Sequence, residues 1–559
     1  MALAGPYTIG VDFGTESGRA ILVDIKDGSV VATAVYQYEN GVIVERLPDG
    51  GAELPPDFAL QDPADYLRTL EQTIPAILRD SGVNPEQIIG IGTDFTACTI
   101  LPTDAQGRPL CFDERFRPNP HAWVKLWKHH AAQPEATAFN AAAALLEESF
   151  LPYYGGKISS EWFFPKAWQI LDEAPEIYDA AERLIEAADW IVWQLTGVET
   201  RNTCTAGYKA QWSKETGFPS ETFLATLDPR LEDIVATRMS APIVPPGTRV
   251  GGLTPLWAEK LGLPAGVAVA AGHIDAHAAV PATSVVTPGK MVMVMGTSLC
   301  HMILSSEKKI VEGMCGVVAD GIIPGYYGYE AGQPALGDIF AWFVNNAVPA
   351  RYEEEARQRG ISVYDLLEER AAKLAPGESG LLALDWWNGN RSVLVDANLS
   401  GLIVGYTLAT KPEEVYRALF EATAFGTNRI IKAFEEAQVP VDELYACGGL
   451  PERSPLLMQI FADVTGKPLK VAISSQASAL GAAMFAAVAA GPQRGGYESI
   501  VESAAAMAGV KDYVYTPQAE HHRVYQLLYG EYMQLYDDFG RGGLNTMKKL
   551  KRLREEVTE

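Results

Sequence analysis

Along residues 7–13, Ile9, Val11 and Phe13 alternate with Thr8, Gly10 and Asp12, the two-residue period of a strand with one buried face. The run stops at Gly14-Thr15 and resumes as a second apolar run. The opening therefore reads as a β-meander, with strands over 7–12, 18–25 and 29–37 and a turn at Lys26-Asp27-Gly28. A polar, Pro- and Gly-rich segment at 47–63 leads into a predicted helix over 64–80, then an apolar strand over 88–102. Residues 113–250 are rich in helix formers and tryptophan, which suit core packing, with one or two available to line a small-molecule site. Residues 267–280 read as a strand running into a helix.

The pattern then recurs. In "GKMVMVMGTSLCHMILS" (289–305) an apolar strand meets Gly296-Thr297-Ser298 and a second apolar strand returns. Such an echo of the opening hairpin predicts a duplicated unit. A third glycine turn, Gly448-Gly449, follows the strand-like run 443–447. After it, Ser454 is suited to cap a helix that has Pro455 at its first position, a stripe of Leu456, Leu457, Ile460, Phe461 and Val464, and Gly466 at its end. Residues 517–559 read as helices, with Val524, Leu528, Tyr532 and Leu535 as one buried face and "KKLKRLREE" as solvated surface.

A chain of 559 residues exceeds what one core holds, and we expect units at 1–262, 263–492 and 493–559. No uninterrupted apolar run reaches the 18 residues of a membrane span. The first strand begins within a few residues of Met1, so no signal peptide is expected. Six scattered cysteines without a C-x-x-C pair suit a reduced, cytoplasmic chain. The net charge of −25 disfavours nucleic acid and anionic membranes. It also repels ATP, so a nucleotide site would need local help from Mg²⁺, backbone amides and helix N-termini.

Asp12 has two readings. Asp and Gly are ordinary turn formers. Alternatively, Gly14 lets the backbone approach a phosphate while Thr15 offers N–H and hydroxyl donors. Three strand–glycine–turn elements, at 12–15, 296–298 and 448–450, favour the second: two hairpins can hold phosphates from both sides, and a Gly-Gly turn lets adenosine lie on backbone. No G-x-x-x-x-G-K-[ST] run and no early G-x-G-x-x-G compete. The expected fold is α/β, two actin-like ATPase (ribonuclease H-like) domains with an active-site cleft between them.

The blocks "GVDFGTESGRA", "GIGTDFTACTILP", "GHIDAHAAVPA", "VMVMGTSLCHM", "GYEAGQPALGDIFAW" and "CGGLPERSPLLMQIFADV" occur in this order. Together they resemble the FGGY carbohydrate kinases over nearly the whole chain, "TDFTACT" being the most specific. "SGLIVGYTLATKPEEVYRALFEATAFGT" stands for a family signature with a spacer longer than in glycerol kinases; "SSEWFFPKAWQIL" keeps Lys166 and Trp168 of another in a modified frame.

The resemblance implies ATP-dependent phosphorylation of a small sugar. Its nearest branch acts on L-ribulose at the 5-hydroxyl, with another ketopentose or polyol, such as D-ribulose or D-xylulose, as the alternative. Asp275 would face the acceptor hydroxyl; an ordinary Asp ionises near pH ~3.9 and is a base at neutral pH. The rival role for Asp275 is to cap the following helix. Asp12 would stand near Mg²⁺ through water. Gly14, Thr15, Gly296, Thr297 and Ser298 would hold phosphates, and Gly448, Gly449 and Leu450 adenosine, with Gln333 and Gly337 as further nucleotide neighbours. The sugar would meet Ala97 (through its backbone), Lys209, Asp275 and Glu330, with Asp94 a further candidate. Taken alone, Lys209 and Glu330 suit a salt bridge or the surface equally well. The resemblance implies no nucleic-acid or membrane partner and leaves the oligomeric state open, a homodimer included.

Two other classes compete. His273, Asp275 and His277 would point one way on an extended strand, as metal ligands do in a metallohydrolase. A non-enzymatic ATP-driven chaperone or filament protein could share the fold, but would turn over ATP without sugar.

Overall fold

The computed structural model describes residues 5–48 and 50–558; Met1 and Glu559, which bound the expected units, lie outside the described residues. The alternating opening forms strands Tyr7–Phe13, Ser17–Asp24 and Val30–Gln37, in successive antiparallel pairing. On the other side Tyr7–Phe13 pairs in parallel with Ile88–Phe95, which pairs in parallel with Ala268–Ala270, and Arg249–Gly252 closes the edge antiparallel. The short strand His273–Ile274 also pairs with Ile88–Phe95.

The second sheet repeats this plan strand for strand. Gly289–Met295 and Leu299–Ser305 form its hairpin, with Tyr327–Gln333 antiparallel outside them. Val441–Cys447 and then Leu469–Ala472 are parallel on the other side, and Val510–Tyr515 is the antiparallel edge. One strand, Gly316–Ala319, is added beyond Tyr327–Gln333. The duplicated unit expected from the two hairpins is thus the architecture of the whole molecule.

Helix Pro63–Ser81 follows from its sequence. Asp62 caps it by accepting the Ala64 N–H at 2.9 Å, Tyr66, Leu70, Ile74 and Ile77 form its buried stripe, and left-handed Gly82 ends it. Between the sheets, Ile21 and Val23 of the first, Val292, Met302 and Leu304 of the second, and residues of helices Asp275–Ala282 and Ala477–Ala490 share one apolar cluster. The helix Ala477–Ala490 lies on the first sheet with its backbone against glycines. A Cβ at Gly10 would stand 1.9 Å from the Ala479 carbonyl oxygen, and one at Gly92 2.0 Å from that of Ala482. The two helices meet equally closely: a Cβ at Gly481 would stand 1.7 Å from the Ala278 oxygen.

Three expectations change. The apolar run 88–102 is two strands, Ile88–Phe95 in the first sheet and Ile100–Thr103 in a separate four-stranded sheet. The break is the left-handed Cys98 (φ 56°), a conformation that ends a ladder. In helix Ala519–Tyr536 the buried residues are Tyr525, Tyr532 and Tyr536, and Val524, Leu528 and Leu535 only flank them. The helix is turned toward hydroxyl partners: Tyr525 accepts from Arg417 and donates to Glu421, both at 2.9 Å, and Tyr532 donates to Asp385 at 3.0 Å. Residues 268–274, read from the sequence as part of the second unit, are hydrogen-bonded into the first sheet.

Candidate active site

Parallel pairing in register sets Asp12 directly opposite Asp94, and Asp94 opposite His273, two residues before Asp275. Three carboxylates thus gather where adjacent strands end. Asp94 is wholly buried, and neither of its carboxylate oxygens has a hydrogen-bond partner. Burial first, then the neighbouring charges of Asp12 and Asp275, hold its carboxyl well above the usual range. Asp12 is raised by burial as well, against the pull of Arg19, whose Nε lies 3.3 Å away. Arg19 is its cross-strand partner in the hairpin, set by the four residues that separate the paired Phe13 and Gly18.

Asp275 opens helix Asp275–Ala282, where its Oδ1 accepts the Ala276 N–H at 2.6 Å. Burial, then the Asp12 charge, push its carboxyl up to about 7. The ordinary value expected from the sequence is therefore corrected: in this setting Asp275 exchanges a proton near neutrality. Because Asp275 begins a helix, the alternation with His273 and His277 is broken. His273 stacks on Phe485 and approaches the Ile274 carbonyl at 3.0 Å, while His277 turns to Glu330.

Lys209 sits in helix Thr203–Ala210 and Glu330 in the second sheet, and they form a buried ion pair with Nζ 3.0 and 2.9 Å from the two carboxylate oxygens. His277 Nε2 lies 3.3 Å from the same carboxylate. Burial opposes ionisation of Glu330, but Lys209 and His277 outweigh it and hold the carboxyl low. The salt bridge allowed for these residues is present, and it joins the two halves beside Asp275. Ala97 lies in the turn between the two separated strands, only partly buried. Lys166 fixes that turn, donating to the carbonyls of Cys98 at 2.6 Å and Leu126 at 2.7 Å.

The two glycine hairpins are each closed by the N–H of their first glycine but differ in length by one residue. Gly14 N–H donates to the Ser17 carbonyl at 3.0 Å, and Gly296 N–H to that of Ser298 at 2.9 Å. Thr15 accepts the Trp127 indole N–H at 3.1 Å, and its carbonyl accepts from Gln61 at 2.7 Å. This role for Trp127 the sequence reading missed, since one tryptophan among many gives no signal. The second turn is held by backbone alone: the Thr297 carbonyl accepts the Leu336 N–H at 2.7 Å, and the Gly296 carbonyl the Gly337 N–H at 3.2 Å. Gly337 is thus the seat of the second hairpin, at the start of helix Gly337–Ala347. Gln333 is placed differently from its predicted role. Its amide donates to Asp385 at 2.7 Å and to the Thr423 carbonyl at 3.0 Å, and accepts from Thr427 at 2.7 Å, so its side chain is committed to the interior.

Val441–Cys447 ends at Gly448, whose φ of 102° belongs to glycine and where a Cβ would stand 2.5 Å from the Met295 oxygen. Gly449 next to it faces open space, and Leu450 follows in the short helix Gly449–Arg453.

Two sheets of one design, a glycine hairpin on each and buried acids at the ends of the first define a two-domain protein of the actin-like ATPase class. Residues 7–281 match the N-terminal domain and residues 291–490 the C-terminal domain of the FGGY family of carbohydrate kinases, and the chain belongs to that family. It is 60% identical over 549 residues to a ribulokinase of Geobacillus thermodenitrificans, covering 98% of this chain and 97% of that one. It is 49% identical over 556 residues to a ribulokinase of Mycolicibacterium smegmatis, covering 99% and 97%. The fold is shared with a xylulose kinase from Rhodospirillum rubrum (TM-score 0.76, 22% identity, 95% of this chain and 98% of that one). Plasmodium falciparum glycerol kinase with ADP shares it too (TM-score 0.74, 16% identity, 94% and 97%). Among the described residues no helix is long and apolar enough to cross a membrane.

Proposed function

We propose that this sugar kinase transfers the γ-phosphoryl group of MgATP to the 5-hydroxyl of L-ribulose, yielding L-ribulose 5-phosphate in the breakdown of L-arabinose in the cytoplasm. The observation that carries the reading is Asp275. It lies between the acid pair of the first sheet and the Lys209–Glu330 bridge to the second, and its carboxyl titrates near 7. The identity of 60% to a ribulokinase over nearly the whole chain supports the choice of sugar.

In this reading the ionised Asp275 accepts the proton of the attacking hydroxyl, a recurring part of phosphoryl transfer. Lys209, Glu330 and the Ala97 backbone orient the sugar. Thr15 and Thr297, with the glycine amides of their turns, flank the phosphates, and Gly449 offers a bare backbone face to adenosine. Asp12 and Asp94 fit a divalent cation: the half-buried Asp12 and the wholly buried Asp94 stand in register beside Arg19, and both oxygens of Asp94 lack a partner. Mg²⁺ bound there would neutralise charge on the phosphate oxygens. We keep 1–262, 263–492 and 493–559 as the domain proposal, with 263–281 as the crossing segment that lends strands to the first sheet and brings Asp275 to the cleft.

A coupled ADP-release assay across pentuloses and pentitols tests this. L-ribulose should give the highest kcat/KM; a higher value for D-ribulose or D-xylulose would reassign the substrate, and sugar-independent ADP release would reject the kinase reading.

A further inference from the structure

Arg391 lies in the connection between strands Leu382–Leu384 and Leu402–Val404. The residue after it ties this connection to the strand carrying Glu330. Ser392 N–H donates to the Gly332 carbonyl at 3.1 Å, and Gly332 N–H to the Ser392 hydroxyl at 3.2 Å. The arm of Arg391 lies on Gly332 itself, where a Cβ would stand 3.3 Å from its Cδ and 3.6 Å from its Nη1. Residues two apart on a strand share a face. The absent side chain at 332 therefore leaves room for Arg391 on the face from which Glu330 reaches Lys209.

Three facts fix what the guanidinium can do. Among the described residues it forms no hydrogen bond and no ion pair, whereas Lys209 donates to both carboxylate oxygens of Glu330. It is only partly buried. The carboxylates acting on it are Glu161 and Glu330, while the charges acting on Asp275 belong to Asp12, Glu330 and Lys209. Glu330 is common to both sets. His277, two residues after Asp275 in the same helix, meets Glu330, and Glu330 shares its strand face with Arg391, so a small molecule held at Asp275 that runs past Glu330 extends toward Arg391.

We propose that Arg391 is a substrate-binding residue that donates hydrogen bonds to the carbonyl end of an open-chain ketopentose, opposite the hydroxyl held at Asp275, and thereby favours a ketose over a polyol. The proposal rests on the sugar-kinase reading above and deepens it. Guanidinium is a planar, donor-only group. A ketone oxygen accepts without bringing a proton of its own, whereas a hydroxyl in its place must turn its proton away from the same donors.

The test measures kcat/KM of wild type, R391Q and R391K with L-ribulose and with ribitol and L-arabinitol, the pentitols made by reducing its ketone. R391Q should lose about 10–100-fold on L-ribulose, the weight of a hydrogen bond from a charged donor. The loss should lie mainly in KM for the sugar, with KM for ATP unchanged. The pentitols should fall less than about threefold, and R391K should lie between. Calorimetric binding of L-ribulose without nucleotide should weaken by the same factor. Equal losses on ketose and pentitols, an unchanged KM for L-ribulose, or a change confined to ATP would overturn the proposal. Should R391Q fail to fold, R391K decides on the same ratios. Wild-type enzyme that releases no ADP with any of these sugars would instead overturn the kinase reading, and this inference with it.

Discussion

The two hairpins hold the same place in their sheets, yet four residues separate the last pair of the first (Phe13 and Gly18) and three that of the second (Met295 and Leu299), and the residues at their strand ends differ. Two positions before the first turn stands Asp12, paired in register with Asp94; two positions before the second stands Val294, paired with Cys447. Asp12 and Val294 are both half-buried. The first turn is held by side chains, Trp127 on Thr15 and Gln61 on its carbonyl, as well as by the Tyr38 N–H on the Glu16 carbonyl, and the second by the backbone of Leu336 and Gly337. The repeated plan therefore keeps a glycine hairpin in each sheet and changes the side chains around it. At the strand ends beside the hairpins, the first sheet carries Asp12 and Asp94, and the second Val294, Cys447 and the glycines 448 and 449.

If catalysis resides on the acid side, Asp275→Ala should cost most, with kcat falling about 10³-fold or more while ATP binding stays within threefold by calorimetry. Retained turnover would remove Asp275 from proton transfer. Next comes Asp12→Asn, expected to lower kcat about 10²-fold and to raise the Mg²⁺ concentration needed for half-maximal rate; a wild-type Mg²⁺ titration would break the asymmetry. Val294→Asp, which copies the acid into the other half, should raise KM for ATP about tenfold by repulsion without raising kcat. Gly449→Val should also raise KM for ATP about tenfold and leave Tm unchanged, since a Cβ there meets nothing. Gly448→Ala should lower stability by about 1–3 kcal/mol, because it strains a φ of 102° and presses on the Met295 carbonyl. The mildest test is pH: Asp275 works ionised, so kcat/KM should decline as pH falls through about 7. A flat profile across that value would mean that another group takes the proton.

Much of this was legible in the chain because backbone-driven features leave local marks. Period-two alternation, Gly-Thr turns and a Ser454-Pro455 helix start identified both hairpins and the Gly448 turn without tertiary information. What escaped depended on contacts between distant segments. Nothing in "TDFTACT" announces that Cys98 turns left-handed and sends the strand into another sheet. Gln333 resembled a nucleotide neighbour by its block, but its amide is claimed by Asp385, Thr423 and Thr427, 52 to 94 residues away. On the buried face of Ala519–Tyr536, Tyr532 is where the sequence places it, but Tyr525 and Tyr536 take the places expected of aliphatic residues, and the hydroxyls of Tyr525 and Tyr532 find buried partners. Arg391 had no motif at all; its significance depends on the missing side chain at 332.

The contact of helix Ala477–Ala490 with the first sheet has a consequence for how the protein tolerates sequence change. At Gly10, Gly90, Gly92 and Gly481 the obstacle to an added methyl group is a main-chain carbonyl, 1.7–2.5 Å away, and a carbonyl has no rotamer into which to retreat. Even alanine at these sites would have to displace a whole helix. The least editable positions of this enzyme thus lie along a packing seam, three of them on the strands that carry Asp12 and Asp94, and a mutational survey scored only by activity would mistake them for catalytic residues.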